Sequence, residues 1–260
     1  MRAVPGRLSK NQYRNHVLIE TAAYASRWRT VAPAAKALFA LAGMMAAWIA
    51  RGPAMLALLA AVLVLAALLG ARVLPRTYLA VAMPPLGFLL LSCLTMLVGP
   101  DAQGHWGWNG AMLPAVAHTA LRSLALLAAL LGLVLTTPLP DLLALLRRLR
   151  TPELLLDLMA LCYRMLFVLR QAWDEGVTAQ GARLGYRGWR HAWRSTGLLA
   201  GQMAVQVWQR AAALQMAAEA RGYQGTLRFL PAVYPDARRH TVVAALAGAS
   251  LIALALGDRL

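Results

Sequence analysis

Charge is scarce in this chain. Charged residues fill 14% of its 260 positions, where a soluble domain carries about 25%, so there is too little polarity to cover a water-facing surface of this size. A mean hydropathy of +0.56 agrees with that shortage, and the class indicated is an integral membrane protein. Acid is scarcer still, at 10 Asp plus Glu against 26 Lys plus Arg, a net charge of +16. Such a balance would ordinarily suggest nucleic acid. Here the basic residues gather beside apolar runs, the pattern that meets anionic lipid and fixes orientation, so the expected contact is a lipid bilayer and no nucleic acid. Lysine is almost missing, with only Lys10 and Lys36. Cysteine is limited to Cys93 and Cys162, both among hydrophobic residues, which excludes a disulfide framework and points to packing. Asp101, His105 and His118 give no recognised ligand spacing, so no metal site is expected. A nucleophile–base pair and a phosphate-binding loop are also lacking, which argues against an enzyme. A cleaved signal peptide is not expected, since a long basic lead precedes the first apolar run.

What the chain has in abundance is apolar sequence. Ala37–Ala50 is a short run that becomes a marginal span with its small-residue flank, and Arg51-Gly52-Pro53 breaks it. Ala54–Ala71 follows, exiting at Arg72 and Arg76, and the alanines of these two runs would allow a close hairpin. Tyr78–Val98 contains Pro84-Pro85, which predicts a kink or an interruption, either as packing geometry or as a gate. The loop 99–110 has Trp106 and Trp108 but no Lys or Arg, as expected of a non-cytoplasmic interface. Leu113–Leu135 is the fourth span and Thr241–Leu256 a short fifth one. With the N-terminus in the cytoplasm, five spans place the Arg72–Arg76 loop and the basic segment after span four inside.

Between spans four and five the character changes. Asp141 opens an amphipathic, interfacial helix, DLLALLRRLR. Thr151-Pro152-Glu153 then signals another helix, with Thr151 as cap and Pro152 in first position. Leu154–Phe167, broken by Asp157 and Arg164, reads as a helix packed on the other amphipathic segments, with a re-entrant or spanning helix as the alternative. Arg183, Arg187, Arg190 and Arg194 recur at three- or four-residue intervals and would form one basic side if helical. That side suits a membrane surface or a docking surface. Leu198–Ala218 is amphipathic and rich in glutamine, and Gly222 is placed to end it in a left-handed conformation. The divisions are therefore a basic lead at 1–33, four spans at 34–137, a cytoplasmic region at 138–239 and a last span at 240–260.

Several of these segments resemble the CbiQ-type transmembrane coupling component of energy-coupling-factor ABC transporters. Pro33-Ala34-Ala35-Lys36 carries the proline and lysine of that family's N-terminal signature, though Ala32 and Ala35 depart from it. Pro138, within Thr136-Thr137-Pro138, also fits. Most specific are Ala182-Arg183-Leu184-Gly185-Tyr186-Arg187-Gly188 and Ala220-Arg221-Gly222-Tyr223. The resemblance implies an all-α polytopic membrane protein of about five transmembrane helices with long cytoplasmic coupling helices, located in a bacterial cytoplasmic (inner) membrane. It implies that Ala182, Arg183, Leu184, Ala220, Arg221 and Gly222 dock into two cytoplasmic ABC ATPase subunits. The chain itself would bind no cofactor, ATP and Mg being used by those partners. A membrane substrate-binding subunit of CbiM or NikM type, with or without a small accessory membrane subunit, would bind cobalt or nickel. Leu184 stands where glycine is common, so the local turn is expected to shift toward Gly185. The Leu-Gly-Tyr-Arg-Gly text favours metal over vitamin uptake; a vitamin-type coupling subunit and a non-transport membrane interaction protein are the alternatives.

Overall fold

The computed structural model describes residues 22–100, 106–108, 110–222, 234 and 236–258. Most of the basic N-terminal lead, Asp101, His105, and the stretch from Tyr223 to Val233 lie outside them. The described residues fall into two compact units, one within Asn15–Leu142 and Val233–Leu260, the other within Leu143–Ala232.

The first unit is a bundle of apolar helices. Helix α1 spans Pro33–Ile49, α2 Pro53–Leu65 with a wide π turn at Ala66–Gly70, α3 Pro75–Leu97, α4 Leu113–Thr136 and α8 Ala237–Gly257. Proline lies in the first turn of α1, α2, α3 and α4, where its missing N–H has no intrahelical acceptor to disappoint. Among the described residues, four helices are long and apolar enough to cross a membrane: α2 with its π turn, α3, α4 and α8. Helix α1, at 17 residues, is shorter. The chain is an all-α polytopic membrane protein. The loop after α3 holds a small addition that hydropathy does not announce, a ribbon of β1, Val98–Pro100, paired antiparallel with β2, Trp106–Trp108.

Small residues set the packing. The core joins Ala46, Ala47 and Ala50 of α1, Leu56, Leu59 and Leu63 of α2, Ala125, Ala128 and Ala129 of α4, and Leu251 and Ala255 of α8. The expected α1–α2 hairpin is not the main contact. Helix α1 lies chiefly on α8 and α4, and α2 on α4. The reason is local: a β-carbon on Gly248 of α8 would stand 2.6 Å from that of Ala42 on α1, so these two backbones come closer than any larger residue would permit. Helix α3 runs without interruption through Pro84-Pro85, so of the kink or interruption expected there the interruption does not occur.

Two cations fasten α1 to α4, one at each end. Lys36, only 3% exposed, donates from Nζ to the carbonyl of Thr136 at the end of α4, 2.8 Å away. Arg122 of α4 donates to the carbonyl of Ala50 at the end of α1 at 3.2 Å and lies 5.7 Å from the centre of the Trp48 ring. The last carbonyls of a helix have no intrahelical donor and carry partial negative charge, so each helix supplies the cation that the end of the other needs. A third tie closes the α1–α2 turn: the exposed Asp258 carboxylate accepts from the amides of Arg51 at 2.9 Å and Gly52 at 2.6 Å. Those two amides hold its carboxyl below the usual range.

The second unit begins within α5, Leu139–Arg148, and is dominated by α6, Glu153–Ala182, and α7, Trp189–Glu219. Thr151 does not cap α6. Its hydroxyl turns back to the Leu146 carbonyl at 2.8 Å, and Pro152 takes the cap position with no side-chain bond to the helix. The chain there reverses through Arg150 at φ 59°, which aims Thr151 at the helix just ended. Leu154–Phe167 is part of one 30-residue helix, and its leucines are largely open: Leu154 is 79% exposed and Leu166 62%. Among the described residues, Leu156 and Asp157 are buried while many apolar side chains of the stretch stay open, so the expected packing on other amphipathic segments is made only in part. Helices α6 and α7 meet where Gly176 leaves room for the Leu199 side chain.

Candidate functional site

Both arginine motifs are helix ends, and the backbone treats them alike. Helix α6 stops at Ala182, with Arg183 at the C-cap. Leu184 then adopts φ 58°, in the left-handed region. Its amide reaches the carbonyl of Gly181 at 3.1 Å, and the amide of Gly185 reaches that of Gln180 at 2.9 Å. These two bonds make a Schellman closure, which satisfies carbonyls that the helix leaves bare. At the other site α7 ends on Glu219, and the amide of Arg221 bonds the carbonyl of Ala218 at 3.0 Å. Gly222 follows at φ 73°, bonding Glu219 at 2.9 Å. Position by position, Ala182 matches Ala220, Arg183 matches Arg221, and the left-handed Leu184 matches the left-handed Gly222.

The turn therefore does not shift to Gly185. That glycine has another duty, since a β-carbon on it would stand 2.5 Å from Ser195 Oγ and 2.9 Å from the Gln180 carbonyl. Ser195, buried on α7, donates its hydroxyl to the Gly185 carbonyl at 3.0 Å and staples the turn to the helix after it. Gly188 is the extended N-cap of α7. Arg187 lies in the turn, its amide bonded to the Leu184 carbonyl at 3.1 Å. The four spaced arginines consequently do not share one helix face: Arg183 and Arg187 belong to the break, and only Arg190 and Arg194 lie on α7. The break at 183–188 interrupts the periodicity that suggested a single side.

Arg183, Leu184, Arg221 and Gly222 are all exposed. A guanidinium at a helix C-terminus is favoured by the helix dipole and, facing outward, offers five donors to a carboxylate or carbonyl on another molecule. Helix α7, at 31 residues, spans roughly 45 Å, with Arg183 in the break before its start and Arg221 just past its end. Arg183 also borders a groove of about 590 Å³ between α6 and α7, lined in part by Gln171, Gln202, Gln206 and Arg210.

Within the helical bundle, Pro33, Lys36 and Pro138 come together. Pro33 is the first residue of α1, and Lys36 joins it to Thr136, two residues before Pro138. The negative charge of Asp141, in the first turn of α5, acts on Lys36. Asp141 also bonds the hydroxyl of Tyr234, whose pKa is pushed up to about 12, first by burial and then by that carboxylate. The two signature segments, 100 residues apart in sequence, thus form one polar joint where α4 gives way to α5. Sequence reasoning named Lys36 and Pro138 but missed their junction, and it missed Arg122, Ser195 and the strained backbone of Leu184. Only Arg122 left a signal, as a lone cation inside an apolar run.

Residues 25–231 match the sequence model of the CbiQ family, described as cobalt transport protein. A cobalt transport protein CbiQ of Rhodobacter capsulatus is 37% identical over 223 residues, covering 84% of this chain and 90% of its own. A cobalt transport protein CbiQ of Salmonella typhimurium is 33% identical over 156 residues, 54% of this chain and 68% of its own. A putative fused cobalt transport protein CbiMQ of Methanocorpusculum labreanum is 29% identical over 252 residues, 92% of this chain but 41% of the fused protein.

Proposed function

This chain belongs to the CbiQ family of cobalt transport proteins, and from that premise we propose that it is the coupling subunit of an energy-coupling-factor transporter for cobalt or nickel. It converts ATPase motion into movement of a separate membrane subunit and does not itself hydrolyse ATP. The observation that carries this reading is the pair of matching helix ends. Two exposed Ala-Arg ends, each followed by a left-handed residue and flanking the roughly 45 Å length of α7, fit two equivalent receptors. Two cytoplasmic ABC ATPase subunits are such a pair. Arg183 and Arg221 each offer charge-assisted hydrogen bonds to acidic or carbonyl acceptors there. The long, sparsely buried α6 and α7 act as levers, and α5 carries the chain back to the membrane bundle beside the Lys36–Thr136 joint.

The fused CbiMQ relative supports a substrate-binding partner of CbiM type, since joining two chains into one suits partners that work side by side. That partner supplies the metal ligands. An inner-membrane location with a cytoplasmic N-terminus follows from placing α6 and α7, with their arginines, on the side of the ATPases.

The reading is tested by changing Arg183 or Arg221 to Glu in the intact complex. Each reversal should weaken copurification of the ATPases and reduce cobalt uptake into proteoliposomes by at least tenfold, with the helical content of the membrane chain unchanged, because a lost charge-assisted bond plus repulsion amounts to a few kcal/mol. Folded variants that retain both ATPases and normal uptake would overturn it.

A further inference from the structure

Resting on that docking assignment, we propose that Leu184 is an affinity determinant: its side chain enters an apolar part of the ATPase socket beside the acceptor of Arg183, so the two docking ends grip their ATPases unequally.

The third position of each end is left-handed. Glycine takes that conformation freely at Gly222, whereas at Leu184 the β-carbon crowds the following carbonyl. A glycine stands next door at Gly185, yet the chain reverses one residue earlier, and Gly185 is instead pinned by the Ser195 hydroxyl with no room for a β-carbon. The strain at Leu184 is not repaid inside the chain either, since its side chain is 66% exposed. A strained, outward-facing apolar residue at a helix end is what a partner contact leaves behind when the partner is away.

The surroundings specify that partner's chemistry. Arg183 precedes Leu184 and Arg187 follows in the same turn, both exposed. The first turn of α7 adds Trp189 and Trp193, stacked edge to face at 5.9 Å and exposed at 73% and 67%. Cations with apolar bulk fit an acidic socket with a greasy wall. At the second end Gly222 offers no side chain, and an added β-carbon there would meet none of the described residues within 4 Å. Contact at that end rests on Arg221 alone among the described residues of the motif.

Opposite changes in stability and affinity separate this role from a structural one. The complex in lipid nanodiscs is stripped of its ATPases and then titrated with them. Leu184→Gly should raise the melting temperature of the membrane chain by relieving the strain, yet raise the ATPase concentration for half-saturation on the order of tenfold, as expected for an apolar side chain removed from a buried contact. Leu184→Met should restore near-normal binding. Should Leu184→Gly fail to fold, Leu184→Ala truncates the same contact while keeping the β-carbon. Unchanged or tighter binding in the folded variant would overturn the proposal. Arg183→Glu and Arg221→Glu run alongside: if they weaken binding and loss of the leucine side chain does not, only the role of Leu184 fails, whereas if none of the changes matters the docking assignment itself fails.

Discussion

Gly185 shows how a glycine can be required without any unusual backbone. Its value lies in what it lacks, because the hydroxyl of Ser195 and the carbonyl of Gln180 fill the place of a side chain. Gly185→Ala should therefore destabilise the α6–α7 turn by about 1–3 kcal/mol, as overpacking does when a backbone atom cannot give way. Thermal unfolding of the purified membrane chain measures this. The double change with Ser195→Ala should recover part of the loss, since it removes one overlap and leaves the other; full recovery, or no loss in the single variant, would contradict the packing account. These residues also mark a limit of the sequence. Glycine's preference for the left-handed region pointed to Gly185 as the reversal, and the structure gives that reversal to Leu184 instead. Gly185 itself is held by a serine ten residues away, a contact that no local pattern encodes. Gly222, by contrast, was legible because glycine at a helix end favours the left-handed turn it takes.

Helices α2, α3, α4 and α8 were readable because lipid demands long apolar runs and the chain supplies them within a few residues of their observed ends. What joins them was not. The α1–α4 pair is held by Lys36 at one end and Arg122 at the other, through backbone carbonyls that sequence does not label. The partner of Lys36 lies 100 residues away. Lys36→Met should leave the Thr136 carbonyl without its donor and lower the stability of the bundle by about 1–3 kcal/mol, the upper end being reduced because methionine carries no charge to desolvate. The melting temperature in detergent should fall. Uptake should fall further than ATPase binding, because the joint where α4 meets α5 is loosened while the docking ends are intact. A variant with unchanged melting temperature and uptake would show that the joint is dispensable.

At the scale of the whole molecule, a lipid-adapted bundle and a pair of long, exposed helices are continuous in one chain, and each unit does what the other cannot. The bundle buries its small residues and holds its own helix ends. Helices α6 and α7 leave many of their leucines, tryptophans and arginines open, which is costly in water without a partner. Among the described residues, Arg183 and Arg221 of the two Ala-Arg ends face outward with no side-chain partner. The measurement that tests this most directly is photo-crosslinking in the intact transporter, with a photoreactive residue placed in turn at position 183 and at position 221. Each position should yield a covalent adduct with an ATPase subunit, and each adduct should be lost when the ATPases are omitted. Intact complexes in which neither position reaches an ATPase would contradict the account.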